Sequence, residues 1–373
     1  MKVTGFSPYI GFCSNAGFSP RGNAISELSH PSRSKRPKGT TSSHNFDAEL
    51  AELEFFSASL REGKAIGEDE IQHIRRVLAH RNNFLVSKAA RLAAECELTQ
   101  LLPDILTAYD RFFHDAAKSD PKCWAKEALA KALVKLGHRT KHEYLRGMRH
   151  HQMEPSFGPD IDTAGTLRAT CAHALVDCPG LSDADLLTAL LEPLTDHDKA
   201  VRIDAARAIA NVGGITAALV LRLRVLLGPV SKLKDEPEAL GAASAALLSL
   251  DPSAVPLIAK ALEAEDDFAA EAAFALAELR TPDALAPLLA HLRTGLDPSF
   301  APTLITAITL TRSDEAFALL LDLIARNARE APDALEALAR IAPSTELHAR
   351  ITEAVDQADS LRVKQAFARF FPK

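Results

Sequence analysis

The sequence predicts an all-α fold, a right-handed α-α superhelix (a solenoid) of about nine helix pairs that runs from about residue 66 to the C-terminus. Three observations carry this expectation. Hydrophobic residues make up 47% of the 373 residues but aromatics only 6%, so the apolar content is mainly Ala and Leu, which suits helices packed closely through small side chains. One apolar stripe recurs at helical spacing along the chain. Its recurrences lie 29 to 42 residues apart, and no segment alternates for long enough to read as a strand.

The stripe is clearest at 198–213. From Val201, small or apolar residues fall at Ala205, Ala206, Ala208 and Ile209, one face of a helix closed by Gly213. Asp198 stands where an N-cap or first-turn acid stabilises the helix start. The same positions recur from Leu167 (Cys171, Ala172, Ala174, Leu175), Phe268 (Ala272, Ala273, Ala275, Leu276), Phe300 (Leu304, Ile305, Ala307, Ile308) and Val363 (Phe367, Ala368, Phe370, Phe371). Weaker copies begin at Val86, Ala125, Ala239 and Asp333. Second helices are expected between them, at 100–118, 142–153, 183–196, 215–228, 253–264, 283–294, 314–327 and 345–358. Pro252, Pro282, Pro298, Pro332 and Pro343 punctuate the joins. A helix within 46–65, carrying Phe55, Phe56 and Leu60, is expected to cap one end.

The stretch 197–213 resembles the second helix of a HEAT repeat through Asp198, Val201, Arg202, Ala205 and Ile209. Arg202 has a counterpart at Arg168, but Ala269 and Ala301 stand at the equivalent positions further on. The compact C-terminal units are similar to the short HEAT-like repeats of phycobilin-lyase-type proteins. The resemblance covers about 300 residues and implies an armadillo-type α-solenoid in which stacked helix pairs share one core.

Composition narrows the function classes. Residues 1–45 hold six Lys/Arg against one acid, Glu27, are rich in Ser, Gly and Pro, and show no helical period. They read as a disordered tail or a start set too far upstream, with some likeness to a transit peptide and none to a secretory signal. With that segment removed, the net charge of −6 becomes −11, which argues against nucleic-acid binding by the whole array. The zone 111–151 is basic, with ten Lys/Arg against four acids. No apolar run reaches membrane-spanning length. Five cysteines without a disulfide pattern fit a reducing, cytoplasmic setting.

Residues 138–162 break the period with a long insertion rich in His, Gln, Glu and Asp. His142, His150, His151, Glu154 and Asp162 are suitable metal-ligand types, but their spacing matches no zinc or di-iron pattern, so neither a metal nor a cofactor is expected. No catalytic motif is present either: there is no G-x-S-x-G and no Gly-rich phosphate loop. The leading expectation is a non-enzymatic interaction scaffold that binds a protein or peptide on a concave face or on the 138–162 loop. Trp124, Arg149, His150, Gln152, Glu154, Arg168 and Arg202 are its candidate contacts. One alternative is a nucleic-acid-associated protein of the DNA-repair type, using Lys126, Lys135, Arg139, Lys141, Arg146 and Arg149 of the basic zone. The other is a chromophore-lyase-like protein, which rests on the resemblance of the short repeats alone.

Overall fold

The computed structural model describes residues 41–61, 66–228, 236–294 and 297–372. The expectations for residues 1–40 lie outside the described residues. The described chain is all-helical apart from one minimal hairpin. In order, the helices are α1 (Thr41–Arg61), α2 (Glu68–Leu78), α3 (Asn83–Glu95), α4 (Leu102–Arg111), α5 (Ala116–Ser119), α6 (Trp124–Lys135) and α7 (Lys141–Met148). The hairpin β1 (Met153–Glu154) and β2 (Ile161–Asp162) follows. Then come α8 (Gly165–Leu175), α9 (Asp183–Leu194), α10 (Lys199–Val212), α11 (Gly214–Leu227), α12 (Glu236–Leu250), α13 (Val255–Ala259) and α14 (Asp267–Leu279). The last are α15 (Pro282–Arg293), α16 (Ala301–Leu310), α17 (Asp314–Ala325), α18 (Ala331–Arg340), α19 (Thr345–Ala358) and α20 (Leu361–Phe370).

The stripe found in the sequence is the packing surface. Its anchors lie in or at the start of α3, α6, α8, α10, α12, α14, α16, α18 and α20, and each of these helices packs on the next. Ala205, Ala206, Ala208 and Ile209 of α10 are fully buried, as are Ala272, Ala273 and Leu276 of α14. Alanine at the crossings lets the helix axes approach closely, while the flanking Leu and Ile supply the buried apolar area. Ends are set by capping. Asp198 accepts the Ala200 N–H at 2.8 Å, Ser182 and Asp185 form a reciprocal capping box, and Gly213 takes a positive φ that closes α10. Among the described residues no helix is long and apolar enough to cross a membrane.

The departures from expectation fall in the insertion. Helix α7 ends at Met148, five residues before the expected end, and residues 153–162 form a hairpin that the sequence did not announce. Its strands are two residues each, with Met153 opposite Asp162 and Glu154 opposite Ile161, too short for any alternation to register. Helix α7 itself lies hard against α8. A methyl group on Gly147 would collide with the Cys171 sulfur and the Tyr109 hydroxyl. Gly147→Ala is therefore expected to destabilise the protein by about 1–3 kcal/mol, overpacking outweighing the roughly 1 kcal/mol of helix propensity gained. The urea unfolding midpoint checks this, and an unchanged or raised midpoint would contradict it.

Candidate functional site

The insertion is built outward from Asp120, which is fully buried. Its carboxylate accepts the backbone N–H groups of Ala125 (2.8 Å) and Lys126 (2.9 Å) at the start of α6, the Asn83 amide (2.9 Å) and the Lys126 ammonium (3.0 Å). The Lys126 ammonium, also without solvent exposure, donates a second bond to the Phe112 carbonyl at 3.2 Å. A buried charge pair is tolerable only with such saturation. The corner that makes this possible is strained: Lys122 and Cys123 both adopt left-handed backbone angles, with φ of 61° and 56°.

The hairpin base is fastened to that corner. The Gln152 amide donates to the Asp120 carbonyl (2.8 Å) and to Glu154 (2.6 Å). Glu154 also accepts the Lys122 N–H (2.7 Å) and the Thr163 hydroxyl (2.8 Å). Burial opposes ionisation of Glu154, but these donors outweigh it and hold its carboxyl below the usual range. His150 donates to the Gln152 side-chain amide oxygen at 3.2 Å and stands edge-on to Phe113. Burial, the largest effect, keeps its imidazole below the ordinary histidine range.

The second strand is held more firmly. Asp162 accepts from the backbone N–H groups of Gln152 and Ala164 (both 3.0 Å), from His151 (2.9 Å) and from Arg168 (2.6 Å). Burial works against its charge, yet these donors hold the carboxyl far below the usual carboxylate range. Arg168 continues the chain of contacts. It donates to the His150 carbonyl (3.0 Å) and grips both oxygens of Asp196 (2.8 and 3.0 Å). Asp196 also accepts the Asp198 N–H, and the Asp196 and His197 carbonyls accept from Arg202 at 2.7 and 3.0 Å. One polar network thus links α6, the hairpin, α8 and α10.

The seven residues expected at a contact surface divide on this geometry. His150, Gln152, Glu154 and Arg168 meet in the network, and Arg202 joins it through the Asp196 carbonyl. Gln152, Arg168 and Arg202 are 3%, 2% and 1% exposed, so their polar atoms serve the fold and do not present a surface. Trp124 is half-exposed beside Phe84, with the Lys122 ammonium 5.2 Å from its ring centre. Arg149 is exposed. The basic zone is largely committed: Lys126 is buried, Arg146 pairs with Asp110 and lies 4.0 Å over Phe113, Lys135 pairs with Glu97 at 3.2 Å, and Lys141 reaches the Gly180 carbonyl at 3.3 Å.

Two features were not recognised in the sequence. The first has a signal: a cation six residues after an aspartate, at Asp120–Lys126, Asp162–Arg168 and Asp196–Arg202, always one position beyond a stripe anchor. The second is the exposed apolar group Met153, Phe157 and Ile161 on the hairpin. Phe157 is fully exposed at the tip, and as the only aromatic between Tyr144 and Phe268 it was visible, flanked by Ser and Gly.

The chemistry available here is limited. Burial pushes the thiols of Cys123 and Cys171 up to about 12 and those of Cys96 and Cys178 to about 11, which removes them as nucleophiles at neutral pH. Among the described residues no three His, Cys, Asp or Glu side chains converge as a metal site. Neither protein-family models nor curated proteins yield a match to this chain.

Asp162→Asn is expected to cost about 2–4 kcal/mol near neutral pH, because it removes one of the two charged partners of a buried guanidinium. The folded carboxyl ionises below the usual range, so its contribution is complete above that range and is lost as pH falls through and below it. Denaturant unfolding of wild type and variant should show a constant gap from about pH 8 to 5 that narrows below about pH 4. A gap that stayed the same down to about pH 3 would contradict the assignment.

Proposed function

We propose that this chain is a non-enzymatic interaction scaffold, a HEAT-like α-solenoid that engages a protein or peptide through the 153–162 hairpin. The sequential packing of the stripe helices supports the repeat reading, in which each helix pair buries a face that only its neighbours can cover. The observation that carries the binding role is the contrast within the hairpin. Each base carboxylate takes a donor from the body, Glu154 from the Lys122 N–H and Asp162 from Arg168, while Met153, Phe157 and Ile161 stay exposed. A large aromatic on a firmly anchored arm binds with little ordering entropy to overcome, which is how preorganised contacts gain affinity. Phe157 is the anchor, with Trp124 and Arg149 as flanking contacts. The buried members of the network, Gln152, Arg168 and Arg202, hold the arm in place.

The test is site-specific photocrosslinking in the native host. A crosslinkable residue at position 157 should give a discrete adduct with one partner, and the same residue at exposed Glu263 should not. Phe157→Ser should weaken that partner's binding by tenfold or more, the cost of truncating an aromatic anchor, without shifting the melting curve. Equal crosslinking at both positions would overturn the proposal.

A further inference from the structure

Helix α11 carries a surface that neither the hairpin nor the polar network explains. Its sequence, GITAALVLRLRVLL, is apolar apart from Thr216, Arg222 and Arg224. Ala217, Ala218, Leu221 and Val225 face inward, and the helix packs chiefly on α10 and α12. The outward side is also apolar: Ile215 is 79% exposed, and Leu219, Leu223, Leu226 and Leu227 are each 50–58% exposed. These five fall within about a third of the helix circumference. Together they expose on the order of 500 Å² of hydrocarbon, as much as the largest patch on a typical monomer.

We propose that this stripe is the contact of a twofold dimer, in which α11 of one copy lies antiparallel on α11 of a second. The spacing suits a second copy. Ile215, Leu219, Leu223 and Leu227 are evenly spaced by four and symmetric about position 221. A twofold axis there places Leu219 of each copy against Leu223 of the other, and Ile215 against Leu227. An isologous contact requires this self-complementarity.

Charge does not oppose the pairing. The only charged residues on α11 are Arg222 and Arg224. Arg222 bonds Asp251 at 2.6 Å beside the stripe, and Arg224 is buried on the inward side. In the antiparallel register Arg222 falls opposite Val220, so no like charges meet. The stripe from two copies amounts to roughly 1,000 Å², and modest contributions from its flanks bring the total into the range of specific interfaces.

Sedimentation equilibrium of the full-length protein tests this. Wild type should show twice the monomer mass at micromolar concentration. Leu219→Glu with Leu223→Glu should weaken dimerisation at least a hundredfold, because acids then oppose acids across the axis. Leu219→Lys with Leu223→Glu should restore the dimer, because each Lys then faces a Glu of the other copy. All the changed positions are exposed, so circular dichroism and melting should not move. A monomeric wild type at 100-fold higher concentration, a dimer persisting in the Glu/Glu variant, or no recovery in the Lys/Glu variant would each overturn the antiparallel dimer.

Discussion

The buried aspartate–cation pair is the interaction on which the first half of this molecule depends. The spacing occurs three times, as Asp120–Lys126, Asp162–Arg168 and Asp196–Arg202, and in each case the cation is buried on a helix of the packing row. The pairs are not copies in their geometry. Lys126 meets the carboxylate of its own aspartate, Arg168 meets both its own and the next one, and Arg202 meets the backbone carbonyls of Asp196 and His197. Net stabilisation from such groups is small, because desolvation offsets most of the attraction. What they supply is position. Apolar faces tolerate a slide of one helix along another far better than a two-pronged guanidinium–carboxylate contact does.

That distinction separates the two halves of the chain. Where the insertion interrupts the row, the positions after the anchors are Lys126, Arg168 and Arg202, all buried. In the compact units beyond, the same positions on α14, α16 and α18 are Ala269, Ala301 and Ala334, also buried, and only the terminal helix α20 carries a cation there, the exposed Lys364. A short, regular connection fixes helix spacing by itself. A long one leaves the chain free to place the next helix in several ways, and the ionic network removes that freedom. The strained corner at Lys122 and Cys123 serves the same end, since it turns the Asp120 carbonyl and the Lys122 N–H toward the hairpin.

The sequence made the helix row legible because one buried face repeats with a fixed period, and that period survives substitution of any single residue. Val201, Phe268 and Leu167 were readable for this reason. The second helices were nearly as clear, with α15 and α19 within one residue of the ranges expected from the pattern. The hairpin was not readable, because two-residue strands carry no period and their partners are side chains distant in sequence. In sequence, Arg168 and Arg202 read as a repeated pair at a contact surface. A polar residue beside a stripe looks solvent-facing until its acid is found, and that acid lies six residues upstream, outside the helix that carries the stripe.

A polar network of this extent costs more to assemble than an equal volume of leucine and alanine, and its members are consumed by one another. Asp162 and the Asp120 side chain have four donors each, two on either oxygen, which leaves neither an open face for proton transfer or metal binding, and the three donors to Glu154 all meet its Oε1. A catalytic site needs groups held short of saturation, with a pKa near the working pH. Here the shifts run the other way: carboxyls driven down, thiols driven up and His150 held toward its neutral form. The arrangement suits an arm that must be in one place, and the group it holds out to solvent is a phenyl ring.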